Sequence, residues 1–173
     1  IGQGTAGIEC LEQLEEINVI PDIVLCCCGG GGLIAGISTA IKTKFDNAKI
    51  YSVEPEYFDD TKISLEKNKI VSNSMKHKSI CDALLAEKPG NITFNINKIN
   101  LTSGVSVSDD EALIAMNTAF KHFKIVLEPG GAVALAAAIS EKVKIKNKNI
   151  LVIASGGNVD KKIFENCLKT ETI

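Results

Sequence analysis

Ile23-Val24-Leu25-Cys26-Cys27-Cys28-Gly29-Gly30-Gly31-Gly32 decides how this chain folds. The first six residues are a continuous apolar run, introduced by Pro21-Asp22. An alternating run marks a strand with one wet face; an unbroken one marks a strand buried on both faces. The four glycines that end it carry a large conformational entropy cost on folding, and a plain turn needs only one or two. What they provide is a loop without Cβ atoms, whose N–H groups can converge on an anion. Residues 32–45, apolar at Leu33, Ile34, Ile37 and Ile41, read as the helix that follows. Its free N–H groups and positive dipole end add to such a site.

Working outward, Lys49-Ile50-Tyr51-Ser52-Val53 is a second strand, stopped by Glu54-Pro55. Residues 150–154 are a third, stopped by Ser155-Gly156-Gly157-Asn158. Helices fill the gaps. Residues 5–17 have Thr5 as N-cap and Ile8, Leu11 and Leu14 on one face. Ser108 and Glu111 form a capping box before a helix over residues 112–123. Residues 131–143 are Ala-rich and nearly uncharged, hence a buried helix, and residues 160–168 are a short closing one. Residues 67–100, rich in Asn, Lys and Ser, are expected to be the least regular part. Strands alternating with helices predict an α/β fold, an open, mostly parallel sheet with helices on both faces. Ligands of such sheets sit at the carboxyl ends of the strands, near a switch in strand order.

Composition narrows the ligand. The 173 residues suffice for one domain with a proper core. The 19 basic residues are all lysines, against 21 acidic ones, for a net charge of −2. That argues against a nucleic-acid partner. Without arginine, an anion site must use backbone N–H groups, hydroxyls or lysine. No apolar run approaches the roughly 18 residues of a membrane span, no secretory signal opens the chain, and a cytoplasmic location is expected. Six cysteines without a C-x-x-C pair read as buried, reduced thiols.

The phosphate-bearing ligand itself has two readings. Gly30, Gly32 and Ala35 satisfy a relaxed dinucleotide spacing, and Glu54 ends the next strand, where a ribose-binding acid sits. A nicotinamide- or flavin-binding module is therefore one alternative, but it leaves the other strand ends unexplained. Five motifs recur in order: Gly2-Gln3-Gly4-Thr5; residues 28–36, C-G-G-G-G-L-I-A-G; Val53-Glu54-Pro55 with Phe58-Asp59-Asp60; Leu127-Glu128-Pro129-Gly130-Gly131-Ala132; and Ser155-Gly156-Gly157-Asn158. Together they resemble the serine/threonine dehydratase and serine racemase group of pyridoxal-phosphate enzymes, with the fold of the tryptophan synthase β chain (fold type II). Residues 79–85, Ser-Ile-Cys-Asp-Ala-Leu-Leu, are closer to bacterial dehydratases than to animal racemases.

The resemblance implies roles. Gly29, Gly30, Gly31 and Gly32, with Leu33, bind the phosphate of pyridoxal 5'-phosphate; Ser155 hydrogen-bonds the pyridine nitrogen; Glu128 and Gly130 line the cofactor and substrate pocket. Glu54, the Phe58 carbonyl and Asp60 match a divalent-cation site for Mg²⁺, Ca²⁺ or Mn²⁺. The residues read alone leave an even alternative, in which Glu54 caps a strand end and Asp59 and Asp60 cap a helix beginning near Thr61. The Schiff-base lysine of the group lies upstream of the matched region, so no catalytic residue is expected within the chain, which opens at Ile1 rather than Met. Residues 1–173 are thus expected to be the C-terminal part of the large cofactor-binding domain of an L-threonine or L-serine ammonia-lyase, inactive alone, with serine racemase as the near alternative. A small amino-acid substrate and a homodimer or higher homo-oligomer are the partners implied.

Overall fold

A computed structural model describes residues 2–171; residues 1, 172 and 173, the ends of the expected unit, lie outside the described residues. Seven α-helices and four strands follow in the order α1 (Gly4–Glu16), β1 (Ile23–Cys27), α2 (Gly32–Lys44), β2 (Lys49–Pro55), α3 (Asp60–Glu66), α4 (Asn91–Asn100), β3 (Ser103–Val107), α5 (Asp109–Thr118), α6 (Pro129–Ile139), β4 (Ile150–Ile153) and α7 (Lys161–Cys167). A 3-10 turn lies at Asp82–Leu84 and a π turn at Ala119–Phe123. The sheet order is β3-β2-β1-β4, and every pairing is parallel.

Strand β1 is buried along its whole length, as its unbroken apolar run requires. Ile23, Leu25 and Cys27 face one core, shared with Ala112 and Met116 of α5, Val133 of α6 and Cys167 of α7. Val24, Cys26 and Cys28 face the other, with Ile34, Ile37 and Ile41 of α2. Helices therefore cover both faces. Burying each of those three isoleucines stabilises the fold by roughly 1.5–3 kcal/mol. The cysteine triplet is divided between the two cores by strand alternation, and all six cysteines are free thiols. Helix α1 rides close on α2, where a Cβ on Gly36 would come within 2.6 Å of the Gly4 nitrogen.

Most element ends agree with the sequence to within a few residues. Ser108 accepts from Glu111 N–H at 3.2 Å and Glu111 accepts from Ser108 N–H at 2.8 Å, so the capping box forms. The other differences have local causes. Thr5 is not an N-cap: α1 begins at Gly4, and the Thr5 hydroxyl donates back to Gly2 O at 2.7 Å. Helix α6 starts two residues early because Pro129 fits a helix's first turn. Strand β2 continues through Glu54-Pro55, since Pro55 is its last residue and the Glu56 N–H closes the ladder on Val107 O at 2.8 Å. Residues 67–100 are not irregular throughout, because α4 occupies their last turns.

The structure gives no support of its own to the cation expected at Glu54, Phe58 and Asp60. Glu54 is fully buried and accepts from Thr61 N–H at 2.8 Å and Lys62 N–H at 2.9 Å, one on each carboxylate oxygen. It thus caps the first turn of α3 from inside. Asp60 turns one oxygen to the Asn73 amide at 2.6 Å, and Asp59 pairs with Lys62 at 3.0 Å. Phe58 buries its ring and donates its N–H to Pro55 O at 3.0 Å. Among the described residues, no group of three or more His, Cys, Asp or Glu gathers where it could hold a metal ion. Burial and the nearby Asp60 push the Glu54 carboxyl well above the usual range, against the pull of its two N–H bonds. Burial likewise lifts Asp60 to about 6. Glu54→Gln puts an NH₂ where one of the two N–H groups needs an acceptor. It should lower the unfolding free energy by about 1–3 kcal/mol in urea titrations. An unchanged midpoint would show that the carboxylate clip contributes nothing.

Candidate active site

The chain leaves β1 for β2 and β3 on one side of the sheet, and returns to pair β4 on the other. The order therefore switches between β1 and β4, and the crevice at their carboxyl ends is where an open α/β sheet binds ligands. The loop of Gly29, Gly30, Gly31 and Gly32 leaves β1 there, and Ser155 follows β4. Cys27 and Ser155 meet across the switch, Sγ to Oγ, at 3.0 Å. Residues 29–32 with Cys27, Leu33 and Leu84 line a cleft of about 210 Å³.

The loop presents donors and little else. Cys28 N–H makes the last ladder bond, to Val53 O at 2.9 Å. The next six N–H groups, those of residues 29–34, donate to no acceptor among the described residues. The last three open α2, a 13-residue helix without a side-chain cap, so its positive end faces the same space. Gly31 has φ 85°, a left-handed conformation that favours glycine. Gly30 and Gly32 are different: a Cβ on either would meet nothing within 4 Å. Neither needs to be glycine for packing, so their bareness leaves the backbone open to a ligand. Six N–H groups without acceptors and a bare backbone are the features with which a loop and helix N-terminus can receive an anion.

The other side of the crevice is built by docking the start of α6 against the loop after β4. Glu128 N–H donates to Gly156 O at 3.0 Å, and the Glu128 carboxylate accepts from Asn158 N–H at 3.1 Å. A Cβ on Gly131 would clash with Gly156 O, so only glycine lets the two segments touch. Glu128 thereby holds the Ser155 loop in place. Gly130 is buried, and a Cβ on it would sit 3.2 Å from Leu84 of the 3-10 turn. These two residues shape the crevice from behind rather than lining the glycine cleft. Ser155 is exposed at its rim. The Cys27 thiol is drawn down to about 7, by Cys26 and by the Ser155 hydroxyl, against the effect of burial.

Two expectations change here. Glu54 is sealed on α3 and offers no oxygen to a ribose, so the dinucleotide reading of Gly30, Gly32 and Glu54 loses its acid. Cys27 and Leu84 join the site unforeseen. The strand's alternation put Cys27 on the sheet face covered by α5 and α6, but nothing in the sequence placed Ser155 beside it. Among the described residues, no lysine lines the cleft.

Comparison with known proteins agrees with this geometry. Residues 1–156 match the family model described as pyridoxal-phosphate dependent enzyme. The chain is 39% identical over 159 residues to a serine racemase of Schizosaccharomyces pombe, covering 92% of this chain and 48% of that protein. It is 32% identical over 167 residues to an L-threonine ammonia-lyase of Thermotoga maritima, covering 96% and 40%. Among solved structures, a threonine deaminase from T.th. superposes with a TM-score of 0.87 at 36% identity, over 92% of this chain and 56% of that one. Maize serine racemase superposes with a TM-score of 0.84 at 32% identity, over 95% and 52%. The chain spans about half the length of the relatives it matches. The sheet is that of the fold type II enzymes of this class. With its bare six-donor loop at the switch point and a family match over residues 1–156, the chain belongs to the pyridoxal-phosphate dependent enzymes.

Proposed function

We propose that residues 1–173 form the C-terminal, cofactor-holding part of the large domain of an L-threonine or L-serine ammonia-lyase, which eliminates water from a β-hydroxy amino acid to give an enamine that takes water up again, leaving a 2-oxo acid and ammonia. The observation that carries the reading is the run of six unpaired N–H groups over residues 29–34 at the switch point. The ammonia-lyase and deaminase relatives support the reaction class. Serine racemase is a second reading, favoured by the 39% identity to a protein of that name. Both readings begin with loss of the proton on Cα.

The residues divide the work. Gly29, Gly30, Gly31, Gly32 and Leu33 offer their N–H groups to the cofactor phosphate. Bound there, pyridoxal phosphate supplies the electron sink that makes the Cα–H of an amino acid acidic. Ser155 is the neutral hydrogen-bond partner assigned to the ring nitrogen, and Cys27 stands against its hydroxyl at 3.0 Å. Glu128 keeps the Ser155 loop docked on α6. The lysine that joins cofactor and protein is assigned outside these 173 residues. A homodimer or higher oligomer is part of the reading, supported by exposed Phe120, Phe123, Ile125 and Val126. So is a cytoplasmic location, supported by six free thiols.

Calorimetric titration tests the cradle. Inorganic phosphate and pyridoxal phosphate should both bind, and NADH should not compete. Gly30→Asp has room for its side chain, so it should fold normally yet lose phosphate binding by more than about tenfold, because a carboxylate then faces the convergent donors. Equal phosphate binding by Gly30→Asp would overturn the assignment. Ser155→Ala should leave inorganic phosphate binding unchanged and weaken pyridoxal phosphate about threefold to tenfold, the worth of one hydrogen bond.

A separate assay tests the assignment of the lysine. The 173-residue chain should form no 2-oxo acid from L-threonine, since hydrogen bonds do not replace the effective molarity of a covalent link. Measured turnover would show that a lysine within the chain does this work.

A further inference from the structure

In a trans peptide the C=O of one residue and the N–H of the next point in opposite directions. Whatever grips the carbonyls of the glycine loop therefore aims its N–H groups. Helix α4 grips two of them. The Thr93 hydroxyl donates to Gly30 O at 2.7 Å, and the Gly90 N–H, at the N-cap of α4, donates to the same oxygen at 3.2 Å. One helical turn on, the fully buried Asn97 amide donates at 3.4 Å to Gly31 O, which also accepts the opening hydrogen bond of α2 from Ala35 N–H at 3.0 Å. Holding Gly30 O turns the Gly31 N–H to the opposite side, and holding Gly31 O does the same for Gly32.

Two further observations show that this contact is built at a cost. The Asn97 Oδ1 is buried without a partner among the described residues, an expense a buried Asn avoids unless its donor is needed. Gly31 is shaped around the grip: a Cβ there would lie 2.8 Å from Asn97 Nδ2 and 3.1 Å from Thr93 Oγ1. The helix is not placed by its own preference either, since its sequence NITFNINKIN is rich in Asn and β-branched residues, which form helices poorly. Phe94 and Asn97 bury themselves and seat it beside α2.

We propose that Thr93 and Asn97 are positioning residues for the anion cradle. From the back of the glycine loop they hold the Gly30 and Gly31 carbonyls, so that the Gly31 and Gly32 N–H groups face a bound phosphate. The role rests on the reading that this loop binds phosphate.

Nuclear magnetic resonance on the ¹⁵N-labelled 173-residue chain tests the grip and the reading separately. Residual dipolar couplings of the Gly31 and Gly32 N–H bonds, in phosphate-free buffer, report their direction; titration with inorganic phosphate reports affinity. Thr93→Val should change the Gly31 coupling and raise the phosphate dissociation constant about threefold to tenfold. Thr93→Ser should restore both. Asn97→Leu should change the Gly32 coupling in the same way but less, since Ala35 N–H still holds Gly31 O, and keeps the test open if Thr93→Val fails to fold. A merely structural role would lower the thermal midpoint of these variants and leave couplings and affinity as in the wild type, which overturns the proposal. No phosphate response in the wild type would instead overturn the phosphate reading, and altered couplings in Thr93→Val would still support the grip.

Discussion

Strand β1 has a parallel partner on each edge and a helical layer on each face, so no polar group of its backbone is left for a ligand. The last of those obligations is met when Cys28 N–H reaches Val53 O. Beyond it, the neighbouring strands diverge in chain order, and the loop emerges into space that no strand fills. Donors left unpaired there are paired everywhere else along the strand. The site is in this sense what remains after the sheet has satisfied itself, at the one place where the topology leaves a gap.

The helix termini show the same logic from the other side. Helix α3 has its first N–H groups closed by the Glu54 carboxylate, and α5 has its closed by Ser108. Those ends are finished structures. Helix α2 starts from Gly31 with no side chain to cap it, and the glycines before it have no side chains to intrude. A helix N-terminus favours negative charge, and the end of α2 lies open at the switch point while those of α3 and α5 are closed by side chains. Close approach supplies the remaining shape. Gly131 against Gly156 brings α6 onto the Ser155 loop, so that residues far apart in sequence form one wall of the crevice.

Much of this was legible in the residues. The apolar run before four glycines announces a doubly buried strand and a bare loop, because burial on both faces removes alternation and four glycines exceed what a turn requires. The capping box of α5 is legible for a similar reason: both of its partners lie within four residues of each other, where local geometry alone decides the contact. The Ala-rich α6 was legible as buried from its lack of charge. By contrast, β3 and α4 went unseen. Ser103-Gly104-Val105-Ser106-Val107 is short and half polar, and its Gly104 is small only because α3 lies against it. Residues 91–100 form a helix against their own propensity, held by burial of Phe94 and Asn97.

The sequence by itself determined the α/β class, the central strand, the position of the glycine loop and the family, since each is written in contiguous residues whose period, bareness or order has one physical meaning. The tertiary structure alone decided what each polar group does. It turned Glu54 inward to two backbone N–H groups, because a buried carboxylate takes the nearest donors. It brought Ser155 to Cys27 by placing β4 on the far edge of β1, which no local pattern specifies. And it set α4 behind the glycine loop, because hydrogen bonds between segments some sixty residues apart exist only once the sheet has brought them together.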